Sequence, residues 1–414
     1  MELNMDNPFR PKIYRGKIAC VGNNGGTYSE TIRYGFRDAA YILFDGVVKD
    51  RKCSEDELVY PIVYCCRHSI ELSLKIAIEN ILQLQKHREE KYKKLNFPGE
   101  LSDKIKKTLV HHSIEDLDGV LKEIIAVIGD SRLESGYLDI SVLLQDYFFD
   151  DKGDAFRYAR SLDQTPILAS NGIHSIAIAT LKEKFRMIME FFDGYLSDIY
   201  TIADEYSLGT FTKHLSRSDL EEIARELPQC DRWREPEFDD IRQRLRDKYD
   251  ISGNELSEAI SIIKEHLFFC SLIGKEHQIG GISDDELKIY ARYSVEMCKL
   301  SENEGNEEEN GHFTQSSLEK IHNYYKKQNE FSVGLSIESI SLLAAFSSFG
   351  KKYYKCYAER FNSLWDDFKP DSDTDKPGLL NRIQDIELVL KGMERCGQTT
   401  YIRKIRAALS MVKE

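Results

Sequence analysis

The stretch from Tyr60 to Leu82 constrains this chain more than any other, because it reads as a buried helix that carries charge along its length. Val63, Cys66, Ile70, Leu74, Ala77 and Ile81 recur three or four residues apart and share one face, while Cys65, Leu72 and Ile76 cover a second flank. Between the flanks run Arg67, Glu71 and Lys75, each one helical turn from the next, with His68 beside them. A helix that is apolar on two sides packs inside, so its neighbours must satisfy a cation, an anion and an imidazole. Buried charge without partners is too costly to persist. The expected helix runs from 60 to 85.

The rest of the chain supports an all-α fold. Hydrophobic residues at 41% and charged residues at 31% exclude wholesale disorder, and 414 residues suffice for two domains with cores of their own. No apolar run approaches the roughly 20 residues of a membrane span, and the N-terminal segment is polar, so a cytoplasmic protein without a membrane partner is expected. Nine scattered cysteines without a Cys-x2-Cys pair read as small hydrophobes, not as a zinc site or disulfide framework. No metal and no cofactor is expected. A formal charge of −13 argues against a protein coated by nucleic acid, although a local basic site remains compatible with it.

In chain order, the glycines of Gly22-Asn-Asn-Gly25-Gly26 lack the lysine and hydroxyl residue of a phosphate loop and read as a turn. A helix capped by Thr27 or Ser29 runs to about Val48. Residues 86 to 107 hold eight basic and four acidic side chains, a local +4 that includes Lys104, Lys106 and Lys107 and forms a candidate phosphate-attracting rim. His111 and His112 follow just before a helix opened by the capping pair Ser113 and Asp116, where an imidazole is placed to exchange protons. Short runs around 155 to 168 suggest a small β-hairpin, with Phe156 and Tyr158 on one side and Arg157 on the other. A helix from about 173 to 206 closes the first domain. The second, 206 to 414, reads as helices at 218–227, 236–250, 254–272, 283–300, 314–328, 335–368 and 379–412, the last two broken. Acidic segments at 301–311 and 369–378 read as mobile loops.

Three motifs in order, Arg67-His68-Ser-Ile-Glu71-Leu-Ser-Leu-Lys75, His112-Ser-Ile-Glu-Asp-Leu117 and Phe156-Arg157-Tyr158, give residues 28 to 205 a resemblance to bacterial HEPN-like helical proteins. That resemblance implies an up-and-down helical bundle, a homodimer or association with a partner protein of a toxin or phage-defence system, and metal-independent action on RNA. In such nucleases an arginine and a histidine five to seven residues later serve one phosphate. Here no histidine follows an arginine at that spacing, and adjacent Arg67 and His68 diverge by about 100° on a helix.

Two readings follow. In the first, Arg67 and Arg157 bind phosphate, His68 or His112 exchanges protons, and Lys104, Lys106, Lys107 and Arg160 attract substrate RNA. In the second, the chain is a non-catalytic scaffold or sensor subunit. Arg67, Glu71, Lys75, His112, Arg157 and Tyr158 then form a structural polar network.

Overall fold

The computed structural model describes Phe9 and residues 17–25, 28–49, 54–161, 164–302, 315–351, 357–369 and 376–412. It is predominantly helical, and no strand occurs among the described residues. The chain divides into two compact units, 1–209 and 210–414.

In the first unit α1 (Ser29–Lys49), α4 (Ile114–Ile128) and α8 (Ile178–Ser207) pack around α2 (Glu55–Lys91). The central helix is 37 residues long and begins before the expected Tyr60. Glu55, Asp56 and Glu57 fill its first turn, where the positive end of the helix dipole favours them, and the helix continues through Pro61, which has no N–H to donate, with its apolar flanks buried on the far side. Arg88 and Lys91 occupy its last turn, where cations are favoured. Ile62, Ile70, Leu74, Ala77, Ile78, Ile81 and Leu84 are all fully buried, so the apolar flanks do face neighbouring helices. Full burial of one such side chain contributes roughly 1.5–3 kcal/mol. Between α2 and α4 lies α3 (Gly99–Leu109), and Ser113 Oγ caps α4 by accepting from the Asp116 N–H at 3.1 Å. Two short helices, α5 (Ser131–Glu134) and α6 (Tyr137–Leu144), lead to the segment where the hairpin was expected.

That hairpin is not formed. Residues 154–158 curl into a turn in which the Arg157 and Tyr158 N–H groups both donate to Asp154 O at 3.0 Å, and the only ladder-like feature among the described residues there is an isolated bridge between Arg160 and Pro166. The donors a strand would need are already used: Asp150 Oδ1 accepts from the Asp154 and Ala155 N–H groups at 2.9 and 3.2 Å, and Pro166 has none. The chain then enters α7 (Ile167–Ser170). Phe156 is buried, whereas Arg157 and Tyr158 are exposed, so the strand-like alternation fails as well.

The second unit contains α9 (Arg217–Glu226), α10 (Glu237–Tyr249), α11 (Gly253–Glu265), α12 (Phe269–Leu272), α13 (Asp284–Glu302), α14 (Gln315–Val333), α15 (Ile337–Gly350), α16 (Phe361–Asp367), α17 (Lys376–Leu380), α18 (Ile386–Arg395) and α19 (Thr399–Val412). Its core centres on α15, which is buried almost all round and crosses α18 backbone to backbone. A Cβ on Gly350 would lie 1.8 Å from Leu388 O, and one on Gly392 1.9 Å from Phe346 O, so only glycine permits that crossing. Among the described residues no single helix is long and apolar enough to cross a membrane; residues 322–333 with α15 pass that test only as a pair bent by 117°. The acidic segments expected as loops fall, at 303–311 and 370–375, outside the described residues. Their flanks, Glu302 and Lys376–Leu380, are helical.

Candidate functional site

The charged stripe of α2 is satisfied within the helix and by two further segments of the same unit, the α3–α4 junction and the turn at 150–153. Glu71, 2% exposed, is its centre. Glu71 Oε1 accepts from His112 Nδ1 at 2.8 Å and faces Lys75 Nζ at 3.0 Å, while Oε2 accepts from Arg67 Nη1 at 3.1 Å. Burial pushes the Glu71 carboxyl up, but the hydrogen bonds from His112 and Lys75 outweigh it and hold the group below its ordinary range.

Arg67, 5% exposed, spends its guanidinium inside the protein. Nη2 donates to the backbone oxygens of His112 and Asp150, the latter at 2.7 Å, and Nε lies 3.1 Å from Asp150 Oδ2. That last N–H is not aimed at the oxygen, so the contact acts as a charge pair and not as a hydrogen bond. Gly153 makes room for it. With φ at +72° and a notional Cβ 2.7 Å from Arg67 Nη1, the position excludes side chains on two counts. Arg67 thus ties α2 to the α3–α4 junction and to the 150–155 turn, with its guanidinium almost wholly buried.

His112 is different. Its side chain is 58% exposed although Nδ1 is held by a carboxylate that is almost wholly buried. In the neutral ring the Nδ1–H donates to Glu71, which leaves the Nε2 lone pair free to take a proton. A buried carboxylate that fixes the tautomer of an exposed imidazole is the arrangement of a general base with its orienting group.

The other predicted residues are dispersed. His68 stacks on Tyr64 with centroids 5.9 Å apart, meets Phe36 edge-on at 4.4 Å, and lies 3.9 Å from Glu71 Oε2. Burial lowers its pKa, with Glu71 opposing. Arg157 does not join the Glu71 network; its guanidinium sits over the rings of Tyr64 and Tyr158 at 5.6 and 5.2 Å. Tyr158 accepts from Arg157 Nη2 at 3.3 Å and is likewise outside the network. Lys104 pairs with Glu123 at 2.6 Å, Lys106 and Lys107 are exposed near the end of α3, and Arg160 donates to Gln164 O at 2.8 Å. The structure brings together Arg67, Glu71, Lys75 and His112, with His68 at the edge.

Sequence reasoning missed Asp150 and Gly153 as members of this network, although both stand in the polar turn 150–154. It also missed two clusters in the second unit. Buried Glu255 accepts from Thr212 Oγ1 at 2.6 Å, from the His214 N–H at 2.7 Å and from His214 Nδ1 at 2.8 Å. Glu359 faces Arg217 Nε and His266 Nε2, both at 2.9 Å. These partners are separated by 41 to 142 residues in the chain, and no local spacing announces them. No group of three or more metal-binding side chains occurs among the described residues.

No family model, curated protein or solved structure matches this chain.

Proposed function

We propose that the chain is a HEPN-like effector that acts on RNA, with His112 as its proton-transfer group, Glu71 as the orienting carboxylate and Arg67 as a positioning residue. The observation that carries this reading is the exposed imidazole of His112 held through Nδ1 by a buried carboxylate. In the reaction it supports, His112 Nε2 takes the proton of a ribose 2′-hydroxyl as the O2′–P bond forms. The P–O5′ bond then breaks, and the leaving oxygen takes a proton from water. Lys106 and Lys107 supply positive charge toward the RNA backbone from the last turn of α3. The resemblance of the three motifs to HEPN-like proteins supports the RNA substrate and a homodimeric state.

One observation favours the second reading, a non-catalytic scaffold: the Arg67 guanidinium is buried and each of its nitrogens lies against a protein oxygen, which leaves no guanidinium at the imidazole to receive phosphate. The test is incubation of purified protein with total RNA in EDTA, for the native chain and for His112→Gln. The RNA-directed reading expects chelator-resistant cleavage that the substitution abolishes. Intact RNA with the native protein would leave the scaffold reading in possession.

A further inference from the structure

We infer that the cavity at the N-terminal end of α2 binds one unstacked nucleotide of an RNA strand, with preference for a base that carries an exocyclic amine. The inference rests on the RNA-directed reading and gives that reading a recognition site apart from His112.

The cavity measures about 720 Å³, within the range that holds a mononucleotide, and is lined by the first turns of α2, the 155–159 turn and residues 166–178. Its floor is apolar and aromatic: Phe156 is 8% exposed and packs on Tyr60 with centroids 6.1 Å apart. Tyr158 stands on the rim, 54% exposed. The exposed rings of Tyr60 and Tyr158, backed by the buried Phe156, offer surface on which a base can stack.

The charges at the rim are of both signs. Arg157 is half-exposed and held by ring faces, and the nearest carboxylate, Asp154, is 3.9 Å away. Its fork therefore retains donors for an anion, the role for which a guanidinium outperforms an ammonium. The lining also includes the exposed carboxylates of Glu55 and Asp56, groups of the kind that accept from the amino group of cytosine or adenine. Two carboxylates against one guanidinium repel a bare phosphate, and an uncharged base leaves the guanidinium unanswered. A nucleotide answers the rings, the carboxylates and the arginine together.

Calorimetric titration in EDTA with cytidine 5′-monophosphate, uridine 5′-monophosphate and cytidine tests this. The cytidine nucleotide should bind on the order of tenfold tighter than the other two, since each lacks one charge-assisted contact. Arg157→Ala should erase its advantage over cytidine, and Glu55→Gln with Asp56→Asn its advantage over the uridine nucleotide. Arg157 is exposed, so its variant should melt as the native protein does, while the double variant gives up two of the three charges at the start of α2 and should melt slightly lower yet stay folded at the titration temperature. Equal binding of the three probes, or binding unchanged in the variants, overturns the inference. An oligocytidylate that binds no tighter than the mononucleotide overturns assignment to a strand and leaves a free nucleotide as occupant. His112→Gln should retain nucleotide binding while losing RNA cleavage, so failure of the cavity and failure of the RNA-directed reading give different results.

Discussion

Replacing Glu71 with glutamine keeps the size of the side chain and removes the one negative charge that Arg67, Lys75 and His112 share. Arg67 keeps Asp150 at 3.1 Å, but Lys75, whose side chain is 18% exposed, loses its carboxylate. Breaking a buried pair from one side costs about 3–5 kcal/mol; the surviving Asp150 contact and the partial exposure of Lys75 place this case at the low end, about 3 kcal/mol. With a urea dependence of about 2–3 kcal/mol per molar, the unfolding midpoint of the first unit drops by about 1 M. Both tryptophans, Trp233 and Trp365, belong to the second unit, so their fluorescence cannot follow this event. Amide hydrogen exchange across residues 55–91 does. His112→Gln, at an exposed ring, should cost less than about 1 kcal/mol by the same readout. A loss below about 1 kcal/mol for Glu71→Gln would refute the claim that the stripe of α2 is held by that carboxylate. The pH dependence has a fixed sign as well. A carboxyl held below its ordinary value of 4.5 binds fewer protons in the folded state than in the unfolded one. Its contribution is complete above about pH 4.5 and is lost as pH falls through the lower folded value.

Further outcomes follow from the packing. Gly153→Ala should destabilise the first unit by about 2–4 kcal/mol, combining left-handed strain with the contact to Arg67, as read by exchange in α2. In the second unit, Gly392→Ala drives a Cβ into Phe346 O, and Trp365 fluorescence should report a loss of at least about 3 kcal/mol. Glu359 is partly buried, which opposes its charge, yet His266 and Arg217 hold its carboxyl far below the usual range. The second unit should therefore lose stability as pH falls below about 4.5, and Glu359→Gln should flatten that dependence.

Helix positions were legible because the 3.6-residue period is local: the capping pair of Ser113 and Asp116, the apolar faces of α2 and α8, and the breaks in 335–368 and 379–412 needed no knowledge of distant contacts. The hairpin was misread because short apolar runs beside a polar loop do not reveal that Asp150 consumes the turn's donors. The site was legible in part. Three of its members lie on one helix, and a buried stripe of charge demands partners, which singled out His112. The partners Asp150 and Gly153 were hidden because the contacts of Arg67 across 83 residues follow from tertiary packing and not from spacing. For the same reason Arg157, placed by its motif beside Arg67, turns out to be held by Tyr64 and Tyr158.

The measurement that bears most directly on the central claim is the fate of RNA incubated with the native protein and with His112→Gln in the presence of EDTA, alongside melting curves of both. The account predicts cleavage by the native chain that leaves 2′,3′-cyclic phosphate ends, survives the chelator and disappears in a variant that melts at the native temperature. RNA left intact by the native protein, or cut equally by both, would contradict it.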